Sequence, residues 1–174
     1  MEVVKKHREE ARGPVKVSVI TVSTSRYQRI LKGESVTDES GDKAVEMIKK
    51  GGHIVVSKKI VDDDSEMIRR ELLKSIKEEG VDVVIVIGGT GISPRDVTIE
   101  AVQPLFDKVL EGFGEIFRMV SYQKIGASAI LSRAIAGTID KRLVFCIPGS
   151  PYAVATALNI ILEELSHAVY IARG

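Results

Sequence analysis

Short apolar runs alternate with amphipathic segments along most of this chain, a pattern that predicts strands alternating with helices. β-branched residues predict a first strand over residues 15–22, and a second strand is predicted over residues 54–61. Apolar positions that recur on one helical face predict helices for residues 40–50 and for the segment that stops at Gly80. Residues 81–87 are almost continuously apolar, which is typical of a central parallel strand buried on both faces.

The rest of the chain has weaker periodicity, so its elements are predicted more coarsely. They are, in chain order, a loop over residues 23–37, a glycine-containing loop over residues 88–95, a short helix over residues 97–106 that is interrupted at Pro104, a helical segment around residues 113–123, apolar stretches over residues 129–135 and 143–147 separated by a turn near residues 137–141, and one last helix after Pro151. Strands and helices that alternate in this way predict the α/β class, with an open, mostly parallel sheet covered by helices on both faces.

The length of the chain, 174 residues, suits a single domain with a core of its own. We therefore predict a charged N-terminal extension over residues 1–14, followed by one domain over residues 15–174. Neither this extension nor any later segment has the apolar length of a signal peptide or of a membrane span. The sequence therefore predicts a cytoplasmic protein.

The charges, the cysteine and the histidines exclude several classes of site. Lys plus Arg number 25 and Asp plus Glu number 24, so the net charge of +1 argues against a nucleic-acid or membrane-surface partner. Cys146 is the only cysteine and lies in an apolar run, so we interpret it as a core residue. His7, His53 and His167 have no metal-ligand spacing, and we interpret them as structural or exposed.

A glycine-rich segment follows the most apolar strand. In Gly88-Gly89-Thr90-Gly91, glycines permit positive φ angles and let the backbone approach a phosphate closely. The segment matches neither the Walker loop nor the dinucleotide fingerprint. A tight turn that serves only packing remains an equal alternative on these four residues alone.

Acidic residues follow two neighbouring strands of the predicted sheet. Residues 62–64 are three consecutive aspartates, of which one is explained as a helix cap and the others as a solvated acidic turn. Asp96, with Glu100 one turn further on, is equally consistent with an ordinary helix start. Together with the glycine segment, however, these carboxylates are expected beside a phosphate-sized pocket. The carboxylates would repel a phosphate bound there, and only a cation between them reverses that repulsion. Magnesium with a nucleoside triphosphate fits that requirement.

Four separated motifs resemble those of one known family, in the same order. They are residues 88–98 (GGTGISPRDVT), residues 111–115 (EGFGE), residues 131–133 (LSR) and residues 148–151 (PGSP). On these motifs the chain resembles the MoaB/MogA molybdopterin-binding family, from about Val15 to the last helix. The run from Pro104 to Ser150 is more similar to the MoaB branch than to MogA.

The resemblance implies a three-layer α/β fold and a defined reaction. Members of the family transfer the adenylyl group of ATP to molybdopterin, with magnesium as cofactor, and release pyrophosphate. They assemble into trimers, which in the MoaB branch pair into hexamers. An essential acidic pair in the family matches Asp63 and Asp96, which would be both catalytic residues and metal ligands, while Asp62 and Asp64 flank the first position.

The resemblance also implies which residues bind the substrates. They are Gly88, Gly89, Thr90 and Gly91 for phosphate, Ser40 and Gly41 beside the nucleotide, and Ser132, Arg133, Gly149 and Ser150 on the pterin side. Arg133 is the candidate to meet the pterin phosphate, with a structural or interface role as the alternative.

Three other functions share this fold and remain open. The main alternative is a protein that binds or carries molybdopterin without adenylylating it, and the acidic pair distinguishes the two because a pure pterin binder needs no magnesium ligands. Molybdate insertion and nicotinamide-nucleotide or ADP-ribose hydrolysis are the others. Relatives with those activities are longer chains than this one.

Overall fold

The computed structural model describes residue 11, residues 13–77 and residues 80–174. Residues 1–10 and 12, most of the predicted N-terminal extension with His7, lie outside the described residues. The elements are β1 (Lys16–Val22), α1 (Thr24–Leu31), α2 (Glu39–Lys50), β2 (Ile54–Val61), α3 (Ser65–Lys77), β3 (Val83–Ile87), α4 (Thr98–Val102), β4 (Lys108–Val109), α5 (Glu111–Ile125), β5 (Ile135–Ile139), β6 (Arg142–Ile147), α6 (Pro151–Ile161) and α7 (Leu165–Arg173). Two 3₁₀ turns, Gln103–Leu105 and Gly126–Leu131, flank β4 and α5.

Six strands form one sheet in the order β2-β1-β3-β6-β5-β4. β1 pairs in parallel with β2 and β3, and β3 pairs in parallel with β6. The last two strands, β5 and β4, run antiparallel to their neighbours. All five residues of β3 are fully buried, which confirms it as the central strand. The prediction of an α/β fold with a mostly parallel sheet is confirmed.

The two faces of the sheet enter two separate hydrophobic clusters. On one face, Ile85 of β3 packs in a cluster with residues of α2, α5, α6 and α7. On the other face, Val84 packs in a cluster with residues of α3 and α4. Successive residues of a strand point to opposite faces, so β1, β3 and β6 contribute buried residues to both clusters. The sheet is therefore the middle of three layers.

The prediction of a loop over residues 23–37 is wrong, because Thr24–Leu31 forms helix α1. Ser23 caps this helix, with its hydroxyl accepting a hydrogen bond from the N–H of Arg26. The Arg26 side chain also donates to the Thr37 carbonyl at 2.9 Å, which fixes the chain beyond the helix. Tyr27, Ile30 and Leu31 lie on one face of α1, but this face is only two turns long and none of it is buried, so the sequence pattern alone did not indicate a helix.

The apolar stretch over residues 129–135 begins in a 3₁₀ turn, and only its last residue enters a strand. The turn spans Gly126–Leu131, and β5 begins only at Ile135. Ile130 is 76% exposed and Leu131 is 51% exposed, whereas Ala129 is buried. The larger apolar side chains of this stretch therefore lie on the surface, which its composition does not indicate.

The turn predicted near residues 137–141 is shorter than expected. Gly137 lies inside β5, and only Asp140 and Lys141 form the turn to β6. Both have positive φ, of 46° and 61°, as the two central residues of a type I′ hairpin turn require. Neither residue is a glycine, so the prediction placed the start of the turn at the nearby Gly137 instead.

The single helix predicted after Pro151 is two helices, α6 and α7, which meet at an angle of 64°. Leu158 of α6 and both Leu165 and Val169 of α7 pack in the same cluster on the sheet. The bend therefore keeps both helices against one face. Among the described residues no single helix has the length and hydropathy of a membrane span, and these two meet that criterion only when taken together.

The cysteine and the described histidines do not lie in the loops that follow the carboxyl ends of the parallel strands. Cys146 of β6 is fully buried, as predicted for a core residue, and burial raises the pKa of its thiol. The Nδ1 atom of His53 accepts a hydrogen bond from the N–H of Val15 at 3.3 Å, and burial lowers its pKa. His167 contacts Glu164 within the last turns of the chain.

Candidate functional site

The carboxyl ends of the four parallel strands meet at one edge of the sheet, where the predicted site residues converge. Asp63 follows β2, the glycine loop follows β3, and Gly149 follows β6. The start of α2 reaches the same edge, because the Ser40 hydroxyl donates to the Gly149 carbonyl at 2.6 Å. Ligands of open α/β sheets bind at this kind of edge.

The glycine loop, defined here as residues 88–91, has a conformation that only glycine adopts without strain. Gly88 and Gly89 have φ angles of 102° and 63°. A Cβ atom on Gly88 would lie 2.6 Å from the Val22 carbonyl oxygen, and one on Gly149 would lie 3.3 Å from the Gly88 Cα. Thr98 fixes the loop from behind, with its hydroxyl donating to the Gly88 carbonyl at 2.9 Å. At Gly88 the backbone of the loop therefore packs directly against the backbone of Val22 and Gly149, with no side chain between them.

The N–H groups of this loop differ in what they can bind. The N–H of Gly88 donates to the Ile147 carbonyl at 2.9 Å and so belongs to the sheet. The N–H groups of Gly89, Thr90 and Gly91 donate to no acceptor among the described residues. Three successive N–H groups of this kind can bind an anion. Gly88 thus shapes the loop, and the next three residues carry its donors.

Asp63 and Asp96 lie against the glycine loop, one at each end. An Oδ1 atom of Asp63 lies 2.8 Å from the position that a Cβ of Gly89 would take, and Asp96 Oδ2 lies 2.6 Å from that of Gly91. Asp96 Oδ2 also accepts a hydrogen bond from the N–H of Ser93 at 2.9 Å. The structure therefore brings together the carboxylates and the loop, as the sequence predicted.

The three aspartates after β2 have different surroundings. Asp64 caps α3, with its side chain accepting from the N–H of Met67 at 2.8 Å. Asp62 accepts from the N–H of Asp63 at 2.8 Å. Asp63 alone has a buried carboxylate oxygen, Oδ1, without a hydrogen-bond partner. It is therefore the one of the three that contacts the loop and lacks a full set of protein partners.

The charge on Asp63 is disfavoured in the protein without a cation. Burial raises the pKa of Asp63, and the carboxylates of Asp96 and Asp62 raise it further, against a hydrogen bond from the Val97 backbone. Among the described residues no three Asp, Glu, His or Cys side chains cluster for a metal. Magnesium needs only one or two carboxylates when phosphate oxygens and waters complete its shell, so Asp63 and Asp96 fit it.

We expect Asp63→Asn to raise the melting temperature of the metal-free protein near neutral pH. The raised pKa means that the ionised carboxylate costs folding free energy above that pKa. Below the ordinary value of 3.8 the carboxyl is protonated in both states and the gain disappears. Because Asp63 is only partly buried, solvent screening keeps this gain small. Melting curves with a chelator, at neutral and acidic pH, measure it.

Asp64→Asn is the matched control, because asparagine caps helices as well as aspartate does and Asp64 is exposed. Its melting temperature should stay that of the original protein. A lower melting temperature for Asp63→Asn at neutral pH would contradict the electrostatic account of the pair.

The start of α2 contains a buried carboxylate that sequence reasoning left without a role. Asp38 is 2% exposed and accepts hydrogen bonds from the N–H of Gly41 at 3.1 Å and from the Thr21 hydroxyl at 2.8 Å. A Cβ on Gly41 would overlap this carboxylate. Asp38 thereby fixes the first turn of α2, and with it Ser40. Its position just before a predicted helix was the available signal.

A cavity of about 330 Å³ opens beside the glycine loop. Its walls come from Thr90 and Gly91, from α5, from the 3₁₀ turn after it and from the start of α6. The lining contains the hydroxyl groups of four serines, Thr90 and Tyr152 beside several apolar side chains; the serines are Ser121, Ser128, Ser132 and Ser150, and the apolar residues are Phe117, Ile125, Ala129 and Leu131. Such a mixture suits a flat, polar heterocycle. The α5 wall was missed because its apolar residues looked like ordinary core positions.

The predicted pterin-side residues fall in two places. Gly149, Ser150 and Ser132 line the cavity. Arg133 lies behind the loop, where its Nε donates to the Gly91 carbonyl at 2.8 Å and its guanidinium pairs with Glu100. Ser150 also caps α6, accepting from the N–H of Ala153 at 3.1 Å.

Comparison with known proteins agrees with this geometry. Residues 18–167 match a family model described as a probable molybdopterin binding domain. The chain is 47% identical over 169 residues to molybdenum cofactor biosynthesis protein B of Bacillus cereus, covering 96% of each chain. It is 41% identical over 153 residues to a protein of Methanocaldococcus jannaschii named probable molybdopterin adenylyltransferase, covering 88% of this chain and 91% of the relative.

A solved structure has the same fold. The tungsten cofactor synthesizing protein MoaB from Pyrococcus furiosus superposes with a TM-score of 0.82 at 44% identity, covering 94% of this chain and 99% of that one. The family match spans most of the chain, and both relatives and neighbour exceed 40% identity. This chain therefore belongs to the MoaB/MogA molybdopterin-binding family of molybdenum cofactor biosynthesis proteins.

Proposed function

We propose that this protein adenylylates molybdopterin, with magnesium and ATP, and releases pyrophosphate. The observation that carries the proposal is the contact of two carboxylates, Asp63 and Asp96, with a loop whose free N–H groups border a small-molecule cavity. That arrangement suits a nucleotide with a cation on one side and an acceptor molecule on the other. The name of the Methanocaldococcus jannaschii relative supports it.

In this reaction an oxygen of the terminal phosphate of molybdopterin forms a bond to the α-phosphorus of ATP. The bond from that phosphorus to pyrophosphate breaks, and pyrophosphate leaves with the electron pair. Catalysis of phosphoryl and nucleotidyl transfer depends mainly on position and on charge stabilisation. A magnesium ion, when bound, would offset negative charge on the phosphates. Asp63 and Asp96 would hold it.

The chain's own groups bind and orient the two substrates in this proposal. The N–H groups of Gly89, Thr90 and Gly91 donate to phosphate oxygens, and Gly88 keeps the loop close to the sheet. Ser40 and Gly41 border the nucleotide. The pterin occupies the cavity against Gly149 and the hydroxyls of Ser132 and Ser150. The guanidinium of Arg133 donates to Gly91, Asp96 and Glu100, so no contact with the pterin is assigned to it.

Purified protein incubated with ATP, magnesium and molybdopterin should release pyrophosphate and form the adenylylated pterin. ATP should bind more tightly with magnesium than without it, because the metal reverses repulsion between the carboxylates and the phosphates. Product analysis and calorimetric titration measure the two effects. Equal ATP affinity with and without magnesium would remove the reason for assigning metal ligands.

A molybdopterin-binding or carrier protein is the alternative function, favoured by the cavity alone. Such a protein would bind the pterin but form no pyrophosphate in the same assay. Asp63 Oδ1 argues against it, since a buried carboxylate oxygen without a partner serves no purpose in binding a pterin.

We also propose that the protein assembles on a trimer, with pairing to a hexamer as the further state. α5 exposes an apolar stripe, with Ile116, Met119, Tyr122 and Ile125 each at least 45% exposed. Contact with another copy would cover such a patch. Sedimentation at micromolar concentration should give three or six times the chain mass of 19.0 kDa, and a mass of one chain would refute the proposal.

The setting of the protein is proposed on the same grounds. Residues 15–174 act as one domain behind the extension at residues 1–14. The protein works in the cytoplasm with other proteins of molybdenum cofactor biosynthesis. The nearly balanced charge supports neither a nucleic acid nor a membrane as partner.

A further inference from the structure

Arg133, just before β5, hydrogen-bonds to three residues behind the glycine loop. Its Nε donates to the Gly91 carbonyl at 2.8 Å, and its Nη2 donates to the Asp96 carbonyl at 3.1 Å. Nη1 and Nη2 donate to the two carboxylate oxygens of Glu100 on α4. Four of the five guanidinium N–H groups are therefore used inside the protein.

The two carbonyls that Arg133 binds are the first and last of the segment 91–96. Within this segment the hydrogen bonds are local, from the N–H of Ser93 to Asp96 Oδ2 and from the N–H of Asp96 to the Ser93 carbonyl, both 2.9 Å. In the described part of the chain, the hydrogen bonds that join segment 91–96 to another element come from Arg133. Residues 92–95 are exposed, so packing does little to hold them.

Glu100 fixes the orientation of the arginine. The hydrogen bond from Arg133 lowers the pKa of Glu100, which keeps this carboxyl ionised. The side chains of Arg133 and Glu100 are 32% and 55% exposed. Ion pairs with this exposure add little to folding stability, so a role in global stability does not explain the pair. What the pair does determine is where the carbonyls at both ends of the segment lie.

We propose that Glu100 and Arg133 form a positioning pair that holds segment 91–96 so that the Asp96 carboxylate stays against Gly91 and near Asp63. The catalytic consequence rests on the proposed function, whereas the effect on the segment itself does not. In this account Arg133 acts through Asp96. Among the described residues no hydrogen bond joins the pair to α5 or α6, which form the opposite walls of the cavity, so we expect pterin affinity not to depend on the pair.

Four variants test the pair. Arg133→Ala removes both carbonyl contacts, and Arg133→Lys keeps the charge but cannot reach three acceptors with one ammonium group. Glu100→Gln keeps an acceptor and removes the charge that orients the guanidinium. Arg118→Ala is the matched control, because Arg118 lines a surface cleft together with Glu100 and Arg133, whereas its Nη1 donates to the Ala134 carbonyl at 3.1 Å and not to the segment.

The first measurement is hydrogen–deuterium exchange of the peptide covering residues 89–97 in the full-length protein. We expect exchange to rise about tenfold in Arg133→Ala, less in Arg133→Lys and Glu100→Gln, and not at all in Arg118→Ala, since local opening is governed by local contacts. This measurement requires neither substrate. If Arg133→Ala does not fold, Glu100→Gln carries the test with the same direction.

The second measurement is adenylyl transfer as a function of magnesium concentration. In Arg133→Ala the magnesium concentration for half-maximal rate should rise by about 10- to 100-fold, the range typical of residues that orient metal ligands. The KM for molybdopterin should stay within a factor of about two, and the Glu100→Gln, Arg133→Ala double variant should be no worse than Arg133→Ala, as expected for residues that act as a unit.

Unchanged exchange in both Arg133→Ala and Glu100→Gln would overturn the proposal. So would a raised KM for molybdopterin with unchanged magnesium dependence, because Arg133 would then bind the pterin phosphate directly. If the original protein itself forms no product, the proposed function fails, and the exchange measurement still decides whether the pair positions the segment.

Discussion

Asp96→Asn is expected to slow adenylyl transfer by a factor of about 10³, because loss of a catalytic metal ligand removes several kcal/mol of transition-state stabilisation at 1.36 kcal/mol per tenfold. The substitution keeps the shape of the side chain and removes the charge. Molybdopterin affinity should stay nearly intact, since Asp96 does not line the cavity. Turnover and pterin binding measured on the same preparation give the comparison.

The stability of this variant separates catalysis from structure. Asp96 Oδ2 accepts a hydrogen bond from the N–H of Ser93, and asparagine keeps an oxygen that can accept it. We therefore expect a change of no more than about 0.5 kcal/mol in unfolding free energy. Asp62→Asn is the control in the neighbouring acidic turn and should retain turnover within a few-fold. Nearly normal turnover in Asp96→Asn would show that the metal site lies elsewhere, and a large fall in melting temperature would make Asp96 structural.

Gly88→Ala should have the largest effect on stability of any substitution considered. A φ of 102° is strained for every residue except glycine, and the added Cβ would lie 2.6 Å from the Val22 carbonyl oxygen. Backbone strain of about 1–3 kcal/mol and a steric clash of similar size predict a loss of roughly 2–5 kcal/mol. The carbonyl belongs to β1, a central strand, so it cannot move away cheaply.

Gly112→Ala is the matched control for this prediction. Gly112 lies in the first turn of α5, is exposed, and has no atom within 4 Å of an added Cβ. Alanine should leave stability unchanged or raise it by up to about 1 kcal/mol, as in other helices. Chemical denaturation of both variants gives the two free energies. Equal stabilities would mean that the loop relaxes around the new side chain and that its conformation is not fixed.

Elements with a buried face were predictable from the sequence, and elements without one were not. Ile68, Leu72 and Ile76 repeat along α3 because that helix packs on the sheet. α1 has apolar residues on one face, but over only two turns and with none of them buried, so the pattern was too short to predict a helix. The 3₁₀ turn around Ile130 has apolar residues on the surface, where composition points the wrong way. Periodicity therefore predicts the helices that pack on the sheet, and it misses elements that lie on the surface.

Some features of the candidate site were predictable from the sequence, and others were not. Asp63, Asp96 and the glycine loop were predictable because strand ends converge in a parallel sheet and because the motifs are local. The pairing of Glu100 with Arg133 was not, since the two residues are 33 positions apart and meet only through the tertiary fold. Arg133 was expected at the pterin phosphate, and its contacts with the Gly91 and Asp96 carbonyls were not foreseen. The buried role of Asp38 also depends on a distant residue, Thr21.

Three carboxylates of this protein occupy the space that a neighbouring glycine leaves empty. Asp38 lies beside Gly41, Asp63 beside Gly89, and Asp96 beside Gly91. The acid and the glycine of each pair are therefore not independent in evolution. An added Cβ on Gly91 would meet only Asp96, so a lineage that loses this acid is released from the need for the glycine, whereas the side chains of Thr21 and Thr98 would still crowd the other two positions. For the pair of Asp96 and Gly91 the order of mutation is therefore constrained, and the acid is expected to be lost first.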